Sequence, residues 1–255
     1  MIFMLEAENS RIRIGCMNKE TILFTESLSA DLSKTALEYA VSFRHAFEFN
    51  HLSPADVEGA ILASVVPQLN SVLLEAVKKA TGCGKILTVG PGVKSGLNIK
   101  IDDPARLGSD RVVGAVAAVN GYPLPLILID MSTCLTFSVL NEKGAYIGGS
   151  IAPGLRLSLD ALTNKAALLS QVPLTPPAHV TGRNTQECIQ SGILLGGAAR
   201  VDGMLDRLSE TLSSTPTYLA TGWDASLLAP LCRHRIEVDE DLFMKGLYAI
   251  YQKNA

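Results

Sequence analysis

The feature that most constrains the fold is an apolar run over residues 126–129 that ends in the carboxylate of Asp130. Prolines precede this run and small polar residues follow it, which is typical of a short buried strand. We therefore expect Asp130 at the C-terminal end of a strand. Next come two segments in which successive side chains alternate between two faces, with turn-forming residues between the segments. Leucines at helical spacing follow them. This region is thus predicted to fold as strand, hairpin, strand and helix.

The same order of elements is predicted at the start of the chain. A first strand leads to Glu6, two more strands follow, and an amphipathic helix completes the unit. In both places the first strand delivers an acid three residues before a small polar side chain, with Glu6 preceding Asn9 and Asp130 preceding Thr133. The repetition indicates two copies of one unit, which we expect to face each other across a cleft.

Length and composition are those of a water-soluble, globular chain. The 255 residues are 47% hydrophobic and 18% charged, which is enough apolar mass for two modest cores. No apolar run approaches the ~20 residues that a membrane span needs, and no signal-peptide core is found. The net charge is −3 without a basic stripe, so we expect no nucleic acid as a partner. A cytoplasmic location is predicted.

The cysteines give no sign of a disulfide framework or a zinc site. There are five of them, an odd number, and no Cys-x-x-Cys pair occurs. Closely spaced pairs are the usual signature of structural zinc, and an even set is usual in disulfide scaffolds. We expect reduced thiols.

Two segments of the first half have residue types suited to anion binding. Residues 90–97 hold three glycines within seven residues and place Lys94 between them, which allows a ligand to approach the backbone closely. Asp110 and Arg111 lie in the first turn of a predicted helix, where the dipole favours anions. Each segment also has a plainer interpretation: an ordinary loop for the first, and helix capping by Ser109 or Asp110 for the second.

Five motifs taken together resemble the type III pantothenate kinase family, and the resemblance covers nearly the whole chain. They are Gly-Pro-Gly-Val-Lys-Ser-Gly-Leu at 90–97, Gly-Ser-Asp-Arg at 108–111, Gly-Gly-Ser-Ile-Ala-Pro-Gly-Leu at 148–155, Gly-Arg-Asn-Thr at 182–185 and Val-Asp-Gly at 201–203. Each motif alone is weak, but the order and spacing of all five are specific.

The resemblance implies an α/β fold of the acetate and sugar kinase/heat-shock/actin superfamily, with two ribonuclease-H-like halves around a central cleft. We place the N-terminal domain at residues 1–120 and the C-terminal domain at 121–255. The implied protein is a homodimer that binds pantothenate and ATP and forms 4′-phosphopantothenate, the first step toward coenzyme A. Its implied cofactors are ATP, Mg²⁺ and a monovalent cation, K⁺ or NH₄⁺.

The resemblance also implies roles for individual residues. Asp110 resembles the family's general base, and Asp130 resembles its ligand for the monovalent cation. The implied pantothenate contacts are Gly108, Ser109, Asp110, Arg111 and Thr185. The implied nucleotide contacts are Glu6, Glu8, Asn9, Ser10 and Thr133. One carboxylate near the attacking hydroxyl suits phosphoryl transfer, which consists mainly of positioning and charge neutralisation.

Four residues depart from the family pattern in the three nucleotide loops. Glu6 replaces the usual aspartate and Glu8 a glycine in the first loop, Ser132 replaces a glycine in the second, and Trp223 replaces a glycine in the third. A carboxylate ~4 Å from a phosphate oxygen costs about 1 kcal/mol in water and about 4 at an effective dielectric near 20, unless a metal intervenes. An alternative therefore stays open: a catalytically impaired homologue that acts as a ligand-binding or regulatory dimer partner.

Overall fold

The computed structural model describes all residues from 1 to 255, and its internal contacts divide the chain into two compact units. The first unit comprises residues 1–97, 103–117 and 241–255, and the second comprises residues 98–102 and 118–240. No helix combines the length and the apolar character that a membrane span requires.

The first unit contains a five-stranded sheet in the order β3-β2-β1-β4-β5. Strands β1, β2 and β3 are antiparallel neighbours, whereas β4 and β5 run parallel to β1. The strands are β1 (Ile2–Ala7), β2 (Arg11–Asn18), β3 (Thr21–Ser29), β4 (Gly59–Ser64) and β5 (Ile86–Thr88). The helices are α1 (Ala36–Phe49), α2 (Pro67–Thr81), most of α3 (Ser109–Gly121) and α8 (Leu242–Gln252).

The second unit repeats this topology with the sheet order β10-β9-β6-β7-β8. Its first three strands, β6, β7 and β8, are again antiparallel neighbours, and β9 and β10 are again parallel to the first strand. The strands are β6 (Leu126–Met131), β7 (Cys134–Leu140), β8 (Tyr146–Pro153), β9 (Thr217–Thr221) and β10 (Glu237–Val238). The helices are α4 (Leu155–Lys165), α5 (Thr185–Gln190), α6 (Gly196–Ser209) and α7 (Ala225–Leu228). The predicted duplication is confirmed.

Strand β1 is buried along its whole length because both of its faces carry apolar side chains. Phe3 and Leu5 belong to a core cluster with residues of α1 and α2. Met4 lies on the other face, in a cluster with Phe243 and Leu247 of α8. Alternation along a strand sends successive side chains to opposite faces, so a strand with apolar side chains on both faces needs a covering layer on each side.

The position of α8 differs from the domain boundary expected from the sequence. A division at residue 120 assigns α8 to the second domain, whereas its apolar face completes the core of the first unit. Helix α3 also passes from one unit to the other between residues 117 and 118. Chain order does not reveal either fact, because both depend on contacts between residues far apart in sequence.

From the sequence, the Gly-Arg-Asn-Thr motif at 182–185 predicts the start of one long helix that runs to about Leu212, and the structure interrupts this helix. Helix α5 is followed by a π-helical segment, Ser191–Leu195, and then by α6. Such segments often lie at functional sites. Here Gly192 and Ile193 of the π-helical segment line a small cavity described below.

Candidate functional site

Asp130 lies at the end of β6, at the point predicted from the apolar run, and its side chain is largely buried. Strand pairing places Thr136 of β7 and Thr221 of β9 directly beside it. Residues in register on neighbouring strands share a face of the sheet, so these three side chains project from the same face. Ser132 Oγ donates a hydrogen bond of 2.6 Å to Asp130 Oδ1. The result is a group of hard oxygen donors.

Thr221 is fully buried, and its Oγ1 has no hydrogen-bond partner. A buried hydroxyl without a partner loses its hydration without compensation, so it marks a place where a further polar group fits. Oxygen-only donor sets suit hard cations. The residues around Asp130 therefore fit the monovalent cation that the sequence implies.

Gly222 explains how the loop after β9 approaches Asp130 so closely. Its φ is +100°, and a Cβ there would lie 2.6 Å from Asp130 Oδ1 and 2.7 Å from Ser132 Oγ. The altered third loop thus keeps a glycine at the position where a side chain would collide. Trp223, the departure from the family pattern, occupies the next position and is half-buried.

A cavity of about 40 Å³ lies beside the β6–β7 turn in the second unit. Ser132, Gly154, Arg200 and Asp224 are among its lining residues. A cavity of this size holds one or a few waters or a small ion, so it is too small for a nucleotide. Asp224 in its wall is buried and forms an ion pair of 3.2 Å with Arg156 Nη2. Sequence reasoning did not single out this pair, because its two residues are far apart in the chain.

In the first unit, the carboxylate of Glu6 is buried beside an arginine side chain. Glu6 and Arg13 are in register on β1 and β2, both are buried, and Arg13 Nε lies 4.0 Å from Glu6 Oε2. The Arg13 guanidinium also lies 5.9 Å from the centre of the Phe243 ring. A buried carboxylate requires such a counter-charge.

In the turn after β1, the side chain of Glu8 is buried, whereas the two residues that follow it are exposed. The Glu8 amide donates to the Arg11 carbonyl oxygen at 2.8 Å, which closes the turn. The Glu8 side chain is 7% exposed, whereas Asn9 and Ser10 are exposed. Glu8 is therefore a constrained side chain rather than a solvated surface acid.

The start of α3 is tied to the end of β4. Ser109 Oγ donates a hydrogen bond of 3.0 Å to the Ser64 carbonyl oxygen, so its hydroxyl links two elements instead of capping its own helix. The Asp110 carboxylate folds back over Gly108, where a Cβ would overlap Asp110 Oδ1. Gly108 thus leaves the room that this carboxylate occupies. The side chains of Asp110 and Arg111 are both half-buried.

The remaining predicted residues lie in loops or at helix starts. Thr133 is half-buried in the turn between β6 and β7, close in sequence to Asp130 and Ser132. Thr185 is exposed at the first position of α5, whose N-cap residue Asn184 accepts a 2.9 Å hydrogen bond from the Glu187 amide. Asp130, Ser132 and Thr133 thus lie at the end of β6 and in the turn that follows it, and Gly108, Ser109 and Asp110 lie at the start of α3.

The two sheets repeat one topology, with an acid near the end of the first strand of each, so the predicted α/β fold with two ribonuclease-H-like halves is confirmed. Solved structures with this fold support the assignment. The chain is similar to a Baf-family protein from Campylobacter jejuni, with a TM-score of 0.63, 15% identity and coverage of 99% of this chain and 98% of that one. It is also similar to the activator of 2-hydroxyisocaproyl-CoA dehydratase from Clostridium difficile with bound ADPNP, with a TM-score of 0.60, 13% identity and coverage of 100% and 97%.

Sequence comparison identifies the family. Residues 2–207 match the family model for type III pantothenate kinase. A type III pantothenate kinase from Bacillus cytotoxicus is 38% identical over 255 residues, which are 100% of this chain and 97% of that protein. The chain belongs to the type III pantothenate kinase family. The resemblance read from the five motifs is confirmed.

Proposed function

We propose that this protein transfers the γ-phosphoryl group of ATP to the terminal hydroxyl of pantothenate and so forms 4′-phosphopantothenate for coenzyme A biosynthesis. The observation that carries the proposal is the 38% identity to a type III pantothenate kinase over the whole chain. The fold, which a nucleotide-bound relative shares, supports the use of ATP as the phosphoryl donor.

Asp110 is the proposed general base. Its carboxylate lies in the first turn of α3, over Gly108, and Ser109 fixes the start of that helix to β4. A carboxylate held in this way can accept the proton of the attacking hydroxyl, because little else is required of the protein in phosphoryl transfer beyond positioning and charge neutralisation. Gly108, Ser109, Arg111 and Thr185 are the proposed pantothenate contacts, and Arg111 supplies positive charge.

The proposed nucleotide contacts are the first and second loops, with Glu6, Glu8, Asn9, Ser10 and Thr133. Mg²⁺ usually takes one or two protein carboxylates and completes its shell with water and phosphate oxygens, and Glu6 can supply a carboxylate there. Asp130, with Ser132 and Thr221, is the proposed site for K⁺ or NH₄⁺. Such cations would offset phosphate charge in the nucleotide complex.

We also propose a homodimer, as the family resemblance implies. The second unit exposes apolar side chains that a partner copy would cover, namely Ile151, Leu157, Leu162, Leu168 and Val180. Ile151 belongs to the edge strand β8 and is 62% exposed, and Leu168 is 96% exposed. Exposed apolar groups mark a protein interface where they form a contiguous patch. The cytoplasmic location stays a prediction.

The impaired homologue is the alternative that the sequence leaves open, because Glu8, Ser132 and Trp223 depart from the family pattern, but the family match and the 38% identity support the kinase. The two candidates share pantothenate binding and differ in turnover. Calorimetry with pantothenate alone tests what they share: we expect saturable binding because residues 90–97, 108–111 and 182–185 retain the family motifs. Absence of binding at millimolar pantothenate, with the protein folded, would contradict the acceptor site.

A further inference from the structure

The glycine-rich loop over residues 90–97 has a defined conformation, although most of it is exposed. Gly92 and Gly96 have φ values of +88° and +77°, which side chains rarely allow. Val93 and Leu97 pack against the apolar cluster that contains α8. Between them, the side chain of Lys94 is exposed. The loop is thus anchored through two apolar side chains, one on each side of a free lysine side chain.

Asn254 binds the backbone of this loop at Lys94. Its Oδ1 accepts a hydrogen bond of 3.1 Å from the Lys94 amide, and its Nδ2 donates one of 3.0 Å to the Lys94 carbonyl oxygen. The same Nδ2 donates a 2.8 Å bond to the carbonyl oxygen of Ile250 in α8. One side-chain amide therefore satisfies both backbone groups of Lys94, as a neighbouring strand would, and joins them to the last turn of a core helix.

Lys253 contacts the two residues that follow Lys94 in the loop, Ser95 and Gly96. Its Nζ donates a hydrogen bond of 3.2 Å to the Ser95 carbonyl oxygen. A Cβ on Gly96 would overlap this Nζ, so the ammonium occupies the space left by the missing side chain. Asn254 and Lys253 together fix three consecutive residues of the loop.

We infer that Asn254 and Lys253 are positioning residues for the pantothenate site. They fix the backbone from which Lys94 extends, so that its ammonium meets the negatively charged carboxylate of the acceptor in a constant place. Ordering the loop before the substrate arrives removes an entropic cost from binding. The inference rests on the proposed function, because it gives this loop a role in acceptor recognition.

The test combines hydrogen exchange with steady-state kinetics for Asn254→Ala, Asn254→Asp and Gln252→Ala. Gln252 is the exposed last residue of α8, two positions before Asn254, and serves as the control. In Asn254→Ala we expect the Lys94 amide to exchange at least about tenfold faster. The KM for pantothenate should rise about 5- to 30-fold, since three hydrogen bonds of the Asn254 side chain are lost, while kcat and the KM for ATP stay within about twofold. Asn254→Asp keeps only the bond from the Lys94 amide and should give an intermediate KM.

The two measurements separate the possible failures. Hydrogen exchange requires no substrate. Unchanged exchange of the Lys94 amide in Asn254→Ala would therefore show that Asn254 does not fix this loop, whatever the protein catalyses. A wild-type protein that neither binds nor phosphorylates pantothenate would refute the proposed function and the positioning role with it. An active wild type whose Asn254→Ala variant is folded and shows an unchanged KM for pantothenate, or a raised KM for ATP instead, would overturn the positioning role alone.

Discussion

Ser132 donates a buried hydrogen bond of 2.6 Å to Asp130, so the residue that departs from the family's glycine is bonded directly to the proposed cation ligand. In the family pattern this position is a glycine, so Ser132 adds a side chain to the second nucleotide loop. The structure shows that the hydroxyl fixes the carboxylate that the family pattern places here. Ser132 is thus compatible with a working site.

Removing this bond is expected to destabilise the second unit. Hydrogen bonds to charged groups contribute about 1.5–3 kcal/mol, so Ser132→Ala should lower the free energy of unfolding by about that amount, measured by urea denaturation. Ser170→Ala, at an exposed serine of the same unit, should change it by less than about 0.5 kcal/mol. Equal stability of the two variants would mean that Asp130 does not depend on Ser132.

Gly108 is expected to control the position of the proposed base. A Cβ there would overlap Asp110 Oδ1, so Gly108→Ala should displace the carboxylate and reduce kcat, as Asp110→Asn should. Loss of a general base typically costs ~10²- to 10⁴-fold in rate. Gly121→Ala near the other end of α3 meets no neighbouring atom within 4 Å and should leave kcat unchanged. Wild-type activity in Asp110→Asn would reduce Asp110 to a structural residue of the helix start.

The charge of Glu8 is expected to weaken ATP binding. Glu8 stands where the family has a glycine beside the phosphates, and Glu8→Gln removes the charge while keeping the shape. We expect both Glu8→Gln and Glu8→Gly to bind ATP more tightly, by tenfold for each ~1.4 kcal/mol of repulsion removed. Calorimetry with ATP, with and without Mg²⁺, measures this. Weaker binding of metal and nucleotide together would instead identify Glu8 as a metal ligand.

The Tyr122–Asp239 pair is expected to make stability sensitive to alkaline pH. Burial and the 2.7 Å hydrogen bond to Asp239 Oδ2 raise the pKa of Tyr122 above its usual value of ~10. The folded state therefore retains a proton that the unfolded state loses, so this contribution is complete below pH ~10 and declines as pH rises through the folded pKa. Tyr122→Phe should be about 1–2 kcal/mol less stable at neutral pH and should lose stability less steeply above pH ~10. Parallel pH profiles for the two proteins would contradict this explanation.

Local patterns in the sequence were sufficient for the strands and for the acids that follow them. The apolar run before Asp130 and the repeated acid placement predicted β6, β1 and the duplicated topology, because a buried strand with its polar end has a recognisable composition. The loops that need positive φ were also visible as glycines, including Gly92 and Gly96.

Long-range contacts were not predictable from the sequence. The hydrogen bond from the Ser109 hydroxyl was not predictable, because nothing in the chain indicates that the Ser64 carbonyl lies beside it. The attachment of Asn254 to Lys94 joins residues 160 positions apart. The π-helical segment within the predicted long helix also has no clear local signature. Such features depend on packing, which single-sequence patterns do not encode.

The most direct test of the central claim is product formation by the purified protein. Pantothenate is incubated with ATP, Mg²⁺ and K⁺, and the products are followed by mass spectrometry, with Asp110→Asn as the inactive control. The proposed function predicts 4′-phosphopantothenate and ADP in equal amounts, both absent in the control. Saturable pantothenate binding without any phosphorylated product, under conditions in which ATP also binds, would contradict the kinase assignment and favour the impaired homologue.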